Sequence, residues 1–153
     1  MKDLPESVDK DIFKQILDMD EDDPDQIFSK EIVFGFFEQV QDSLKKMHES
    51  MYEYTPSALY FRLLHWRIHH SHWRESGDLK KLSAQGHYLK GSSATIGLKR
   101  IRDACEVIQS LELNANTKET MDLAKKKISV IKEGCDEAEK DMKKFYGVHA
   151  GIP

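Results

Sequence analysis

His87 stands in the run Gly86-His87-Tyr88-Leu89-Lys90-Gly91-Ser92-Ser93. These residue types at these spacings suit the handling of a phosphoryl group. A neutral imidazole is a good nucleophile, and its titration near neutrality keeps a large fraction in that form. A phosphorylated ring gains negative charge, which the ammonium of Lys90, one turn along, offsets. Gly91 follows His87 by four residues and so stacks beside it on a helix, removing the side chain that would crowd the ring. A mid-helix glycine costs about 1 kcal/mol relative to alanine, and this run holds two, Gly86 and Gly91. An exposed histidine with a lysine nearby is otherwise an ordinary surface pair. The glycines and serines around it separate the two readings.

The run needs a helix to present it. Leu79, Leu82, Gly86, Leu89, Ser93 and Ile96 recur at spacings of three and four, one stripe facing a core. His87 lies roughly 130° from the centre of that stripe and points to solvent. Gly77-Asp78 opens this helix and Gly97 ends it. Before it, a short helix over about residues 9–19 carries Ile12, Phe13, Ile16 and Leu17. A longer one over about 25–51 carries Phe28, Ile32, Val33, Phe36, Phe37, Val40, Leu44, Met47 and Met51. After it, a fourth helix spans about 98–113 with Leu98, Ile101, Cys105, Ile108 and Leu111 inside. The last shows Met121, Ala124, Ile128, Ile131, Cys135, Ala138, Met142 and Phe145. Asn116 and Glu119 before it resemble a capping box. The expected fold is all-α: an antiparallel four-helix bundle with the short first helix packed across one end.

Composition narrows the function classes. The 153 residues fit a single domain, 1–153, that can bury one core without disulfides. A net charge of −4 argues against a general nucleic-acid binder. Residues 1–25 hold ten Asp or Glu against three Lys, concentrated at Asp18, Asp20, Glu21, Asp22 and Asp23. The first residues lack the apolar core of a signal peptide, and no stretch is long enough for a bilayer. Cys105 and Cys135 fall on core stripes, so two reduced thiols are expected, in a cytoplasmic and nuclear setting. No glycine-rich phosphate loop and no kinase motif set occurs. The chain is therefore expected neither to bind ATP nor to phosphorylate itself.

The segment from Gly86 to Leu98 resembles the signature of histidine phosphotransfer domains, H-x-L-K-G-S-S followed by a G-L turn. Arg100-Ile-Arg-Asp-Ala-Cys-Glu-Val-Ile-Gln109 is similar to the next helix of fungal members, and so is Ile16-Leu-Asp-Met-Asp-Glu-Asp-Asp-Pro24. The resemblance covers most of residues 9–51 and 77–146. It implies that His87 is the phospho-accepting residue, that Lys90 assists the phosphoryl group and that Gly91 provides clearance. Ser92 and Gln109 would belong to the polar surround. Ile12, Ile16, Met19, Phe28, Ile32 and Tyr88 would form an apolar docking surface.

The implied function is a phosphorelay intermediate. It would accept a phosphoryl group from the receiver domain of a hybrid sensor histidine kinase and pass it to response regulators. The chain would work as a monomer without a cofactor of its own, the divalent metal sitting on the receiver. Three departures from the pattern bear on docking more than chemistry. Gln85 stands where an apolar residue is common, Tyr88 replaces phenylalanine, and Ser110-Leu-Glu-Leu lacks a usual glycine. The alternatives are a helical adaptor without chemistry and a metal-binding protein.

Residues 52–73 differ from the rest. They hold both tryptophans, three of the five tyrosines and no lysine. His65, His69 and His72 share one helix face and could ligate zinc or copper, though no nearby Cys, Asp or Glu completes a site. An interfacial, partner-binding helix is a second reading. A third is an insertion between the second and third helices that stems from a retained intron. Met51-Tyr-Glu-Tyr can be encoded over a typical fungal donor sequence, and removal restores a short loop. Loop-closure entropy varies slowly with length. Deleting 52–73, which joins Met51 to Arg74, is thus expected to leave a folded bundle with equal or slightly higher melting temperature. A deletion that unfolds the protein, with a transcript that always retains the segment, would rule the insertion reading out.

Overall fold

Carboxylates and a hydroxyl set where most of the helices begin. A computed structural model describes residues 4–21, 23–51, 78–114 and 116–148. Among these residues the α-helices are α1 (Lys10–Asp18), α2 (Ile27–Met51), α3 (Leu79–Ile96), α4 (Lys99–Ser110) and α5 (Lys118–Tyr146), and a 3₁₀ turn, Leu111–Leu113, extends α4. There is no strand among the described residues. Asp9 caps α1 by accepting from the amides of Asp11 and Ile12 at 3.1 and 3.3 Å. Asp78 caps α3 through the Lys81 amide at 3.0 Å. The cap of α5 is Thr117, whose hydroxyl accepts from the Thr120 amide at 3.2 Å. The expected Asn116–Glu119 box is therefore displaced by one residue, because extended Thr117, not Asn116, aims its oxygen at the third amide of the helix.

Part of the acidic run does similar work. Asp23 accepts from the Ile27 amide at 3.0 Å, and Asp20 from the Ser29 amide at 2.9 Å. Two orphan donors of the α2 N-terminus are thereby satisfied by negative charge, which the helix dipole favours. Asp20 is buried, and beside it the Tyr146 hydroxyl donates to Ser29 Oγ at 2.9 Å, which ties the end of α5 to the start of α2.

α2, α3, α4 and α5 form a closed four-helix ring in chain order, each packed on the next and α5 on α2. Cross-helix pairs show that neighbours are antiparallel. Asp78 donates its amide to the Ser50 carbonyl, Ser83 reaches Gln109, Arg100 pairs with Glu133 and Glu137, and Tyr146 meets Ser29. The stripes expected on α3, α4 and α5 are buried throughout. Both thiols are in this core, where burial pushes each up to about 12.

Gly97 takes a left-handed φ of 83° and ends α3 with Leu98 donating to the Ser93 carbonyl at 2.9 Å. A Cβ at Gly97 would lie 3.1 Å from Asp9. The Asp9 amide donates to the Gly97 carbonyl and its carboxylate meets Lys99 at 2.7 Å, so the α3–α4 turn seats the start of α1. From there α1 crosses the end of the bundle, with Phe13 edge-on to Phe145 at 5.7 Å. Ile16 is only 5% exposed and belongs to the core. Its assignment to an exposed docking surface is corrected here: the face of α1 that carries Phe13 also carries Ile16, and covering the bundle end consumes both.

Gly86 differs from Gly35 and Gly91 in the room around it. A Cβ on Gly86 would fall 2.9 Å from the Cys105 carbonyl oxygen and the Gln109 nitrogen, so glycine there permits close approach of α3 to α4. A Cβ on Gly35 or Gly91 would meet nothing within 4 Å. Gly86→Ala is expected to cost about 1–3 kcal/mol through overpacking. Gly35→Ala and Gly91→Ala should each stabilise by about 0.5–1 kcal/mol. Urea midpoints measure both, and a neutral Gly86→Ala would contradict the close contact.

Acid sensitivity follows from the caps. Asp9 is held below the ordinary 3.8 by the Lys99 ammonium and then the Ile12 amide, Asp23 by the Ile27 and Asp25 amides, and Asp78 by the Lys81 side chain and then its amide. A carboxylate whose folded pKa is depressed stabilises the fold above its unfolded value, and that contribution is lost as pH falls through the folded value. The melting temperature should therefore fall as pH drops below about 4, and Asp9→Asn with Asp78→Asn should flatten that fall. A melting temperature insensitive to pH in that range would refute the assignment.

Candidate functional site

Because Gly86 is pressed against α4, the next residue turns outward, and His87 is exposed near the middle of α3. The same contact brings α4 side chains to it. Ser83 Oγ donates to the Gln109 carbonyl at 2.8 Å and fixes that residue's height on α4. Gln109 then places its amide nitrogen 3.1 Å from His87 Nδ1 and its Oε1 3.4 Å from Lys90 Nζ. Lys90 Nζ also donates to Glu106 Oε1 at 3.3 Å.

The directions in this chain follow from the lysine. An ammonium only donates, so the Gln109 carbonyl faces Lys90 and the Gln109 NH₂ faces Nδ1. A neutral imidazole in this arrangement accepts at Nδ1 and carries its proton on Nε2, the nitrogen turned away from Gln109.

Ser92 looks the other way, toward α2. Its hydroxyl accepts from Gln39 Nε2 at 2.9 Å and donates to the Tyr88 carbonyl at 3.3 Å. Gly91, between the two networks, is exposed and leaves open space over the turn next to His87. Of the five residues expected at the reacting centre, the structure joins His87, Lys90 and Gln109 directly. Gly91 is adjacent, and Ser92 belongs to the α2–α3 seam.

Gln39 and Glu106 were missed in the sequence. Each had a periodic signal, Gln39 falling seven residues after Ile32 on α2 and Glu106 three before Gln109 on α4. Neither signal names a partner until the helices are in register.

Of the expected apolar surface, Met19, Phe28 and Tyr88 are 60%, 43% and 56% exposed. Ile12 and Ile32 are half-buried, and Ile16 is core. Phe28, Ile32 and Gln39 lie along one face of α2, and the Gln39–Ser92 bond shows that this face borders the Tyr88–Ser92 face of α3. The histidine triplet His65, His69 and His72 and the rest of 52–73 lie outside the described residues. Among the described residues, no helix is long and apolar enough to cross a membrane.

Comparison with known proteins identifies the family. The chain is 32% identical over 148 residues to multistep phosphorelay regulator 1 of Schizosaccharomyces pombe, covering 91% of this chain and 42% of that protein. It is 33% identical over 103 residues to a phosphorelay intermediate protein of Candida albicans, covering 67% and 42%. The chain thus spans less than half the length of these curated relatives. Among solved structures it resembles the histidine phosphotransfer signaling protein of Saccharomyces cerevisiae, with a TM-score of 0.67 at 26% identity over 94% of this chain and 96% of that one. The family model for the Hpt domain matches residues 31–141, from the first turns of α2 through most of α5 and including the whole network around His87, so the chain belongs to the Hpt domain family.

Proposed function

We propose that this chain is a phosphorelay intermediate that accepts a phosphoryl group on His87 from an aspartyl phosphate of one receiver domain and returns it to the aspartate of another. The observation that carries this reading is the exposed imidazole bound through Nδ1 to Gln109, with a lysine ammonium on the far side of the same amide. The yeast relative named above was crystallised with the receiver domain of its downstream response regulator, which supports a receiver as the partner class. Met19, Phe28, Ile32 and Tyr88, with Ile12 at the edge, offer apolar surface for such docking.

In the forward step, Nε2 attacks phosphorus in line with the leaving carboxylate oxygen. The P–O bond breaks with its electron pair on the carboxylate, and a P–N bond forms. Attack needs a lone pair on Nε2, so beforehand the exposed ring gives its Nε2 proton to solvent and takes one at Nδ1. Once Lys90 turns to the phosphoryl oxygens, the Gln109 amide is released to rotate and accept that N–H through Oε1. Phosphoryl transfer needs positioning and charge stabilisation more than covalent help. This chain supplies the nucleophile, one ammonium and clearance at Gly91; the receiver supplies the divalent metal. In this reading the chain carries no cofactor of its own and has no ATP-dependent kinase activity.

The test is incubation with a phosphorylated receiver domain. Wild-type protein should take up an acid-labile, base-stable label. His87→Gln should take up none while its stability stays within about 0.5 kcal/mol, as expected of an exposed site. Lys90→Ala should slow transfer about 10-fold without abolishing it, equivalent to about 1.4 kcal/mol. Wild-type labelling of the glutamine variant would sink the assignment, and co-binding without label would favour an adaptor.

A further inference from the structure

The ammonium of Lys90 has two acceptors in the structure, Glu106 Oε1 at 3.3 Å and Gln109 Oε1 at 3.4 Å, and neither belongs to His87. We infer that Glu106 is a positioning residue that competes with the phosphorylated imidazole for Lys90 and so limits how far the phosphoryl group settles on His87. The inference rests on the relay reading above and deepens it.

The argument runs from charge. A phosphoryl group on Nε2 presents anionic oxygens that draw Lys90 away from its resting partners. Gln109 offers a neutral carbonyl, whereas Glu106 offers a full negative charge and is the stronger competitor. In this inference, turning toward the phosphoryl oxygens weakens the Lys90–Glu106 pair, and release to a receiver restores it. The pair is worth little in absolute terms, since its side chains are 36% and 64% exposed and water screens them. A small competing interaction suits a carrier. If Lys90 had no other anion to pair with, the phosphorylated state would be favoured and onward transfer would suffer.

Glu106→Gln tests this, because it keeps size and an acceptor oxygen while removing the charge. The phosphoryl equilibrium between a receiver domain and this chain should shift toward His87 by about two- to five-fold, the range of an exposed ion pair. Three further readouts separate the role from a merely structural one. The shift should shrink as salt is raised. It should vanish when Glu106→Gln is made on a Lys90→Ala background. Glu106→Asp, which retains the charge, should lie closer to wild type than Glu106→Gln.

An unchanged equilibrium, a shift toward the receiver, or a shift that persists without Lys90 would overturn the inference. If wild-type protein takes up no label from the phosphorylated receiver, the relay reading fails and takes this one with it. A labelled wild type with an indifferent Glu106→Gln defeats only the role of Glu106.

Discussion

Where α3 passes α4 there is no room for a methyl group: a Cβ on Gly86 would lie 2.9 Å from backbone atoms of both Cys105 and Gln109. That contact, with the Ser83 hydroxyl bonded to the Gln109 carbonyl, sets the height of α4 against α3. The site depends on it. His87 and Lys90 are on one helix and Gln109 and Glu106 on the other, and their bonds exist in only one register. A slip of one helical turn, about 5.4 Å, would leave the imidazole and the ammonium without their shared amide.

The bundle ends serve the same purpose by different means. Helix starts are fixed by Asp9, Asp23, Asp78 and Thr117, and α3 is closed by a left-handed glycine whose carbonyl receives the Asp9 amide. At the other side of the same end, Asp20, Ser29 and Tyr146 join three segments through buried polar contacts. Asp20 makes its contact through Oδ1 alone, and its Oδ2 is buried without a hydrogen-bond partner among the described residues. The candidate site residues thus stand on two packed helices, α3 and α4, and no loop carries any of them, which favours a pre-organised site.

Electrostatics at the site are modest and exposed. One ammonium is shared by a carboxylate and an amide, and the imidazole projects into solvent. For a phosphoryl carrier this restraint is physically apt, because a deeply stabilised phosphohistidine would be a poor donor. In the relay proposed above, the transition state would be assembled only when a partner brings the aspartate and its metal to the open side of Gly91.

Among the described residues, the helices, their approximate limits and the inward stripes of α3, α4 and α5 were legible in the sequence because 3.6-residue periodicity is local, and caps such as Asp78 and Gly97 act within a turn of themselves. His87, Lys90 and Gly91 were legible for the same reason: their relation is fixed by one helix. The sequence also marked Gln109, though only by resemblance. The stripe already put Gly86 on the core face and Gly91 off it, but tertiary structure alone decided that a Cβ on Gly86 has no room, since the atoms it would meet belong to Cys105 and Gln109 across a helix boundary. It likewise decided that Ile16 is consumed by the core, that Asp20 and Asp23 serve α2 as caps, and that Gln39 and Glu106 join Ser92 and Lys90. Those pairings span 53 and 16 residues of chain. Side-chain partners at such separations are set by interhelical register, which is a property of the packed core as a whole and of no single segment within it.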